Sequence, residues 1–374
     1  MIPRIKLCLT LVLSGGLLGG FSGLGADKYA INAEPRYLDK SLSEWIAHAA
    51  PGGEFLIPWD SVTWQAHDAV RQIGTNAIPW LLQWLRSDQP KTAQLGIGGF
   101  CVLGPSGTPA IPELLKMAYD WQNLPAWSNA VLALASLHYT NSPYNTFAYF
   151  VPLVTNQSVR PIIRAQTLAA IGRKIRLEDS AVPVLLQCLR VEDSRVATAA
   201  AYSLGRWSLE PRLVIPARVT CLSSRTNGPE DAAMRDSAAD GLMNYAGLIH
   251  DPSARSKSEL DDLRQAMSNA VPALVKALDD EDWRVAREAA MALGAAAIEP
   301  DIVVPALVKS LNYPHPHGLG DVRHEAINAL GNFGEAAQSA APALTKIAQS
   351  DSGGYVGGGF AATVLKKIAP ATKP

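Results

Sequence analysis

The chain has 374 residues, 48% of them hydrophobic and 18% charged, with a formal net charge of −1. A near-neutral chain has no global electrostatic attraction to nucleic acid, and this apolar share is too high for a disordered chain. Length alone suggests two or three domains, unless one repeated unit runs on as a single array.

Residues 1–26 have the form of a secretory signal. Arg4 and Lys6 give a basic start, residues 7–18 are apolar but too short to span a bilayer, and Gly23, Gly25 and Ala26 are the small residues a cleavage site needs. Export leaves a mature chain of net charge −3, periplasmic or secreted, with no spanning segment; the alternatives for the same stretch are an uncleaved interfacial anchor and a buried first helix. No Cys follows the apolar run to carry a lipid. Once Cys8 has gone with the signal, Cys101, Cys188 and Cys221 remain, an odd number lying in apolar helical patterns. They read as buried thiols and not as a disulfide framework or a zinc site.

Residues 27–58 form a lead-in, with a short helix over 41–49 capped by Ser41 or Ser43 and stopped by Pro51, Gly52 and Gly53. From 59 to 370 the chain repeats itself. Residues 271–311 begin with VPALVKAL and end with VPALVKSL, placing Pro272 and Pro305 33 residues apart. Val271, Leu274 and Leu278 share one face of a first helix, with Pro272 in its first turn. The acidic run Asp279, Asp280, Glu281, Asp282 caps a second helix striped by Val285, Ala289 and Leu293, and Gly294 is suited to the left-handed residue that ends it. Pro79, Pro112, Pro152, Pro183, Pro216 and Pro342 mark the other first helices. Gly74, Gly104, Gly172, Gly205 and Gly331 mark the other second-helix ends, each preceded by Ile or Leu and, five before, by Ala69, Gly99, Thr167, Ala200 or Ala326. Those small residues let neighbouring helices approach closely. Helix pairs with one apolar face each must stack to bury it.

Two places depart from the period. Residues 223–268 hold an enlarged unit, with a helix over 230–245 and a long first helix over 258–278 containing Pro272. Residues 312–320 form a Pro/His/Gly loop. A last helix is striped by Val356, Phe360, Val364 and Ile368, with Lys366 and Lys367 at its negative end. The pattern predicts an all-α, right-handed superhelix of about eight helical hairpins.

The motif xVPALxxxLxDxxxxVRxxAxxALG, matched at 183–205, 272–294 and 305–331, resembles the HEAT-repeat family, in particular the short HEAT-like repeats first associated with phycobilisome lyases. The resemblance covers about residues 60–368 and implies an armadillo-like α-solenoid that binds a protein partner and carries no cofactor. A chromophore-lyase-like or metal-dependent enzyme is the alternative it leaves.

The metal form of that alternative turns on histidines. Deoxyhypusine hydroxylase is a HEAT-like enzyme that holds two irons with His-Glu dyads. His324-Glu325 and His67-Asp68 occupy the matching register, seven and six residues before Gly331 and Gly74. The other copies have Ile97-Gly98, Ala165-Gln166, Thr198-Ala199 and Arg287-Glu288, so the two dyads fall in the first and last well-formed repeats. His315, His317, Asp321 and His324 form a second metal candidate, weighed against a polar loop held extended by its prolines. For partner binding, Trp80 and Trp84 are one turn apart in a tryptophan-rich N-terminal third, where the same rings can instead pack under the lead-in. Arg284, Arg287 and Arg323 of second helices complete the candidates, although arginines such as Arg195 and Arg284 have acids nearby, Asp193 and Asp282, to pair with between repeats.

Overall fold

Proline at the first turn costs no hydrogen bond, because the first N–H groups of a helix have no intrahelical partner. In the computed structural model, Pro79, Pro112 and Pro183 take that place in their helices. Pro216, Pro272 and Pro305 instead lie inside helices that start earlier, two of them with a second proline, Pro211 or Pro300, at the start. The structure describes residues 33–50, 60–120, 122–137, 147–174, 177, 179–205, 210–224, 229–251, 256–313, 321–350 and 358–369. The signal-like segment, His315, His317 and Val356 lie outside them.

The described residues form nine helix pairs. They are α1 (Leu42–Ala49) with α2 (Ser61–Ile73), α3 (Ile78–Leu85) with α4 (Pro90–Leu103), α5 (Ile111–Tyr119) with α6 (Leu124–Ser136), and α7 (Phe147–Thr155) with α8 (Pro161–Lys174). Next come α9 (Val182–Leu189) with α10 (Ser194–Gly205), α11 (Pro211–Leu222) with α12 (Pro229–Leu248), and α13 (Lys257–Ala277) with α14 (Trp283–Ala296). The last are α15 (Pro300–Ser310) with α16 (Val322–Asn332), and α17 (Ala341–Ser350) with α18 (Gly358–Ile368). Each second helix packs on the next, from α2 through to α18, and the first helices form the other layer. The result is an α-α superhelix with one continuous apolar core.

The lead-in supplies the first helix of the first pair. Ser41 caps α1 in a full capping box with Glu44, and α1 packs on α2 and α4. Ahead of it, β1 (Arg36–Tyr37) and β2 (Lys40–Ser41) form a two-stranded antiparallel ribbon, Arg36 opposite Ser41. The enlarged unit holds the long helices α12 and α13.

The repeat glycines have two different uses. Gly74 and Gly104 are left-handed turn residues, at φ +60° and +51°. Gly294 is not a cap. It lies inside α14, where an added Cβ would stand 2.6 Å from the Ala329 backbone, so glycine there permits the close approach of α16. The left-handed cap comes three residues later, at Ala297. Gly172 likewise faces Ser203 across the α8–α10 contact. The three cysteines beyond residue 100 are buried, and among the described residues none is in a disulfide.

Candidate functional site

Four consecutive second helices, α8, α10, α12 and α14, surround a groove of ≈ 650 Å³. That size suits a small ligand or the side chains of a bound segment. Helix α8 contributes Ala165, Gln166, Ala169 and Arg173, and α10 contributes Arg195, Thr198, Ala199 and Tyr202. Helix α12 adds Ala233, Asp236, Ser237 and Asp240, and α14 adds Glu288. The small side chains keep the floor low, while the charged and aromatic ones stand along it.

The groove follows the repeat register. Ala165-Gln166, Thr198-Ala199 and Arg287-Glu288 stand seven and six residues before their glycines, where other copies carry His-Glu or His-Asp. Helix α12 has no glycine at that point, but its register is set by Asn244. The Asn244 side-chain amide donates to the Gly205 carbonyl at 3.0 Å, as that of Asn332 does to Gly294 at 3.2 Å. Asn332 follows Gly331, so Met243 stands in the glycine's place and Asp236-Ser237 in the dyad's.

Asp236 and Asp240 are one helical turn apart and half-buried. Among the described residues no hydrogen bond or ion pair ends on either carboxylate. Burial pushes the Asp236 carboxyl above its ordinary pKa, against the pull of Arg284 and Arg287. Burial does the same to Glu288, although Glu288 accepts a hydrogen bond from Arg287. Behind the floor lies Arg218 of α11, 1% exposed. Its guanidinium donates to the carbonyls of Ala201 at 2.6 Å, Ser237 at 2.6 Å and Ala238 at 3.2 Å. A Cβ on Gly205 or Gly241 would collide with it.

The candidates from sequence separate in space. Arg284 and Arg287 border the groove, where their charges act on Asp236. Arg284 pairs with Asp282 at 2.7 Å and Arg195 with Asp193 at 2.7 Å. These pairs close two residues apart at the start of one helix, not between repeats, because each acid is already held there as a cap. Arg287 also lies over the Trp283 ring, at 5.3 Å. Arg323 sits one pair further on, half-buried in α16, with its Nε lacking a hydrogen-bond partner. Trp84 is buried and Trp80 half-buried, their rings edge to face at 6.1 Å on α3 in the other layer. Helix α3 packs on α4 and α6, whereas the lead-in helix lies on α2 and α4.

The two dyad histidines have separate packing roles. His67 is fully buried in α2, and its Nε2 bonds the Ala49 carbonyl at 3.0 Å, tying α1 to α2. His324 stacks on Phe360 of α18, ring centroids 4.5 Å apart. Asp321, offered as a metal ligand, accepts from the His324 backbone N–H at 2.8 Å and caps α16. Among the described residues no group of three or more His, Cys, Asp and Glu is placed to hold a metal ion.

Sequence reasoning missed Tyr202, Asp236, Asp240 and Arg173. The repeat motif is interrupted in α12, so its register could not be aligned from glycine spacing. The available signal was Asn244, one residue past the expected glycine, as Asn332 is.

Residues 271–362 match the family model of HEAT repeats. No curated protein matches the chain. Among solved structures, an engineered protein is similar at 20% identity over 88% of each chain, TM-score 0.49. The E. coli protein YibA is similar at 14% identity over 85% of this chain and all of its own, TM-score 0.49. Importin beta is similar at 13% identity, TM-score 0.53, over 87% of this chain and 45% of importin beta. At these identities the likeness speaks to the fold alone.

Proposed function

We propose, for a chain that belongs to the HEAT-repeat family, the role of a binding scaffold that holds a segment of a protein partner in the groove of α8, α10, α12 and α14 and works outside the cytoplasm. One observation carries the groove: Asp236 and Asp240 stand in it unpaired, one turn apart. A carboxylate held partly out of water without a partner gains most from a cation that arrives with the ligand. An Arg or Lys side chain on an extended segment supplies that cation, and the alanines beside it leave room for the backbone. The repeat architecture suits the role, since stacked pairs present a long continuous face. No helix among the described residues is long and apolar enough to cross a membrane.

Peptides selected from a random library on the immobilised full chain should be enriched in Arg or Lys. They should bind the Asp236→Asn, Asp240→Asn double variant about tenfold or more weakly, the equivalent of one charge-assisted contact. Selected peptides without basic residues, or with unchanged affinity for the variant, remove this reading of the groove.

The location rests on the basic start, short apolar run and small-residue site of residues 1–26. Terminal sequencing of the native protein should begin near Ala26 or Asp27, and an intact Met1 on the mature protein counts against export.

A further inference from the structure

Two junctions of the array have the same architecture and differ in the acids that face one arginine. At the first, Arg235 of α12 reaches the turn after α13. It holds the Asp280 carboxylate with two parallel bonds, Nε and Nη2 each at 2.9 Å, and also pairs with Asp231. All three side chains are at least nine-tenths buried. At the second, Arg164 of α8 occupies the same register: it stands eight residues before Gly172, as Arg235 stands eight before Met243. The turn it faces follows α9. There Asp193 caps α10 and pairs with Arg195, as Asp282 caps α14 and pairs with Arg284. Two residues before Asp282 is Asp280; two residues before Asp193 is Val191. Asp231, the other acid that holds Arg235, has no counterpart either: four residues before Arg164 stands Arg160.

What stands in place of the Asp280 carboxylate is a cavity of ≈ 130 Å³. Arg164 forms its inner wall and is only 5% exposed. Its Nε donates to the Val154 carbonyl at 2.8 Å and its guanidinium lies within hydrogen-bond reach of the Cys188 thiol, but among the described residues no carboxylate pairs with it. Thr155, Gln157, Gln187, Cys188 and Arg190 complete the polar lining, and among the described residues no carboxylate belongs to it. Cys188 does not neutralise the guanidinium either, because burial raises its thiol pKa and keeps it protonated.

We propose that this pocket is an anion site, in which a carboxylate or other small oxoanion bridges Arg164 and Arg190 and takes the place that Asp280 holds against Arg235. A buried guanidinium bonded only to uncharged groups lacks its counter-ion, and a bidentate oxoanion is the ligand its planar fork matches. The cavity admits one small anionic group. It suits the acidic side chain or chain terminus of a peptide, or a free ion such as phosphate. The site lies at the α7–α9 turns and is separate from the groove of Asp236.

The test is a calorimetric titration of the full chain, at constant ionic strength, with inorganic phosphate and separately with N-acetyl-aspartate amide. One saturating site is expected for at least one probe. Phosphate alone assigns the site to free oxoanions, the aspartate probe alone to acidic peptide groups, and both together to the shared chemistry. Val191→Asp keeps Arg164 and fills the pocket with a tethered carboxylate, so it should weaken probe binding about tenfold or more. Arg164→Gln should do the same. Absence of saturable binding with both probes overturns the proposal, as does binding by Val191→Asp equal to that of the original chain. The Val191 variant decides the matter even if loss of Arg164 impairs folding.

Discussion

The N-terminal and middle parts of the array stack the same kind of helix pair with different materials. Between α3 and α4 the contact is made by shape. Leu81 and Leu85 lie directly over Gly96 and Gly99, and an added Cβ at Gly99 would stand 2.8 Å from Ile46 of α1. Between α12 and α13 the contact is made by charge, with Arg235 held between Asp231 and Asp280 and Ser224 donating to Asp231 at 3.0 Å. Apolar contact is undirected and depends on close fit, which is why α4 carries Gly96 and Gly99 where α12, in the same register, has Arg235 and Ala238. A buried ion pair is directional, so it can hold register in a unit whose helices are long and whose motif is broken. The polar construction also leaves Asp236 and Asp240 facing the groove, whereas the N-terminal pairs present few charges to position.

Removing one partner from each contact should separate the two constructions. Asp280→Ala leaves Arg235 with one carboxylate in a buried site and should cost about 3–5 kcal/mol, as breaking buried pairs does. Leu81→Ala should cost about 2–5 kcal/mol through the cavity it opens. The rescues differ. Adding Gly99→Ala to Leu81→Ala should recover part of the loss, because the new methyl occupies the space left by the leucine. Adding Arg235→Met and Asp231→Leu to Asp280→Leu should give a protein more stable than Asp280→Ala, since no charge of the buried triad is left uncompensated. Chemical unfolding midpoints measure all four. An Asp280→Ala cost below about 1 kcal/mol, in the range of an exposed pair, would mean that charge is not what holds the middle junction.

The parts legible in sequence were those set by local rules. Proline spacing located the first helices, and Ser41 with the acidic run ending at Asp282 located helix starts. Leu204, Leu293 and Leu330 are buried as their stripe required. Gly294 was misread because a cap and a close helix contact both demand glycine, and only the position of Ala329 distinguishes them. The candidate site was legible only as a register. His67, His324 and the Arg287-Glu288 step mark the right helix face, but local pattern does not say that His67 will tie down α1 or that His324 will stack on Phe360. Those outcomes depend on elements far along the chain. Arg164 and Arg235 illustrate the same limit, since each is an arginine in a second helix. Their difference appears only when Val191 and Asp280 are seen at the turns they face.

The smallest expected effect concerns Asp236 in the groove and Asp193 at the start of α10, two carboxylates shifted in opposite directions. Burial holds the folded pKa of Asp236 above its ordinary 3.8. The folded state therefore binds the proton more tightly than the unfolded chain does. Stability falls as pH rises from 3.8 through the folded value, and it remains reduced at neutral pH. Asp193 is lowered, chiefly by its hydrogen bond from Arg195. Its contribution is present above the ordinary 3.8 and is lost as pH falls through the folded value. At neutral pH, Asp236→Asn should raise the melting temperature of the free protein and Asp193→Asn should lower it. Each difference should shrink towards zero in acid, once the carboxyl it replaces is protonated in both states. A lower melting temperature for Asp236→Asn at neutral pH would show that Arg284 and Arg287 outweigh burial, so that the groove carboxylate is already compensated within the chain. The expected gain would place the cost of an unpaired carboxylate on the free protein, and the same substitution should then weaken the basic peptides that the groove selects.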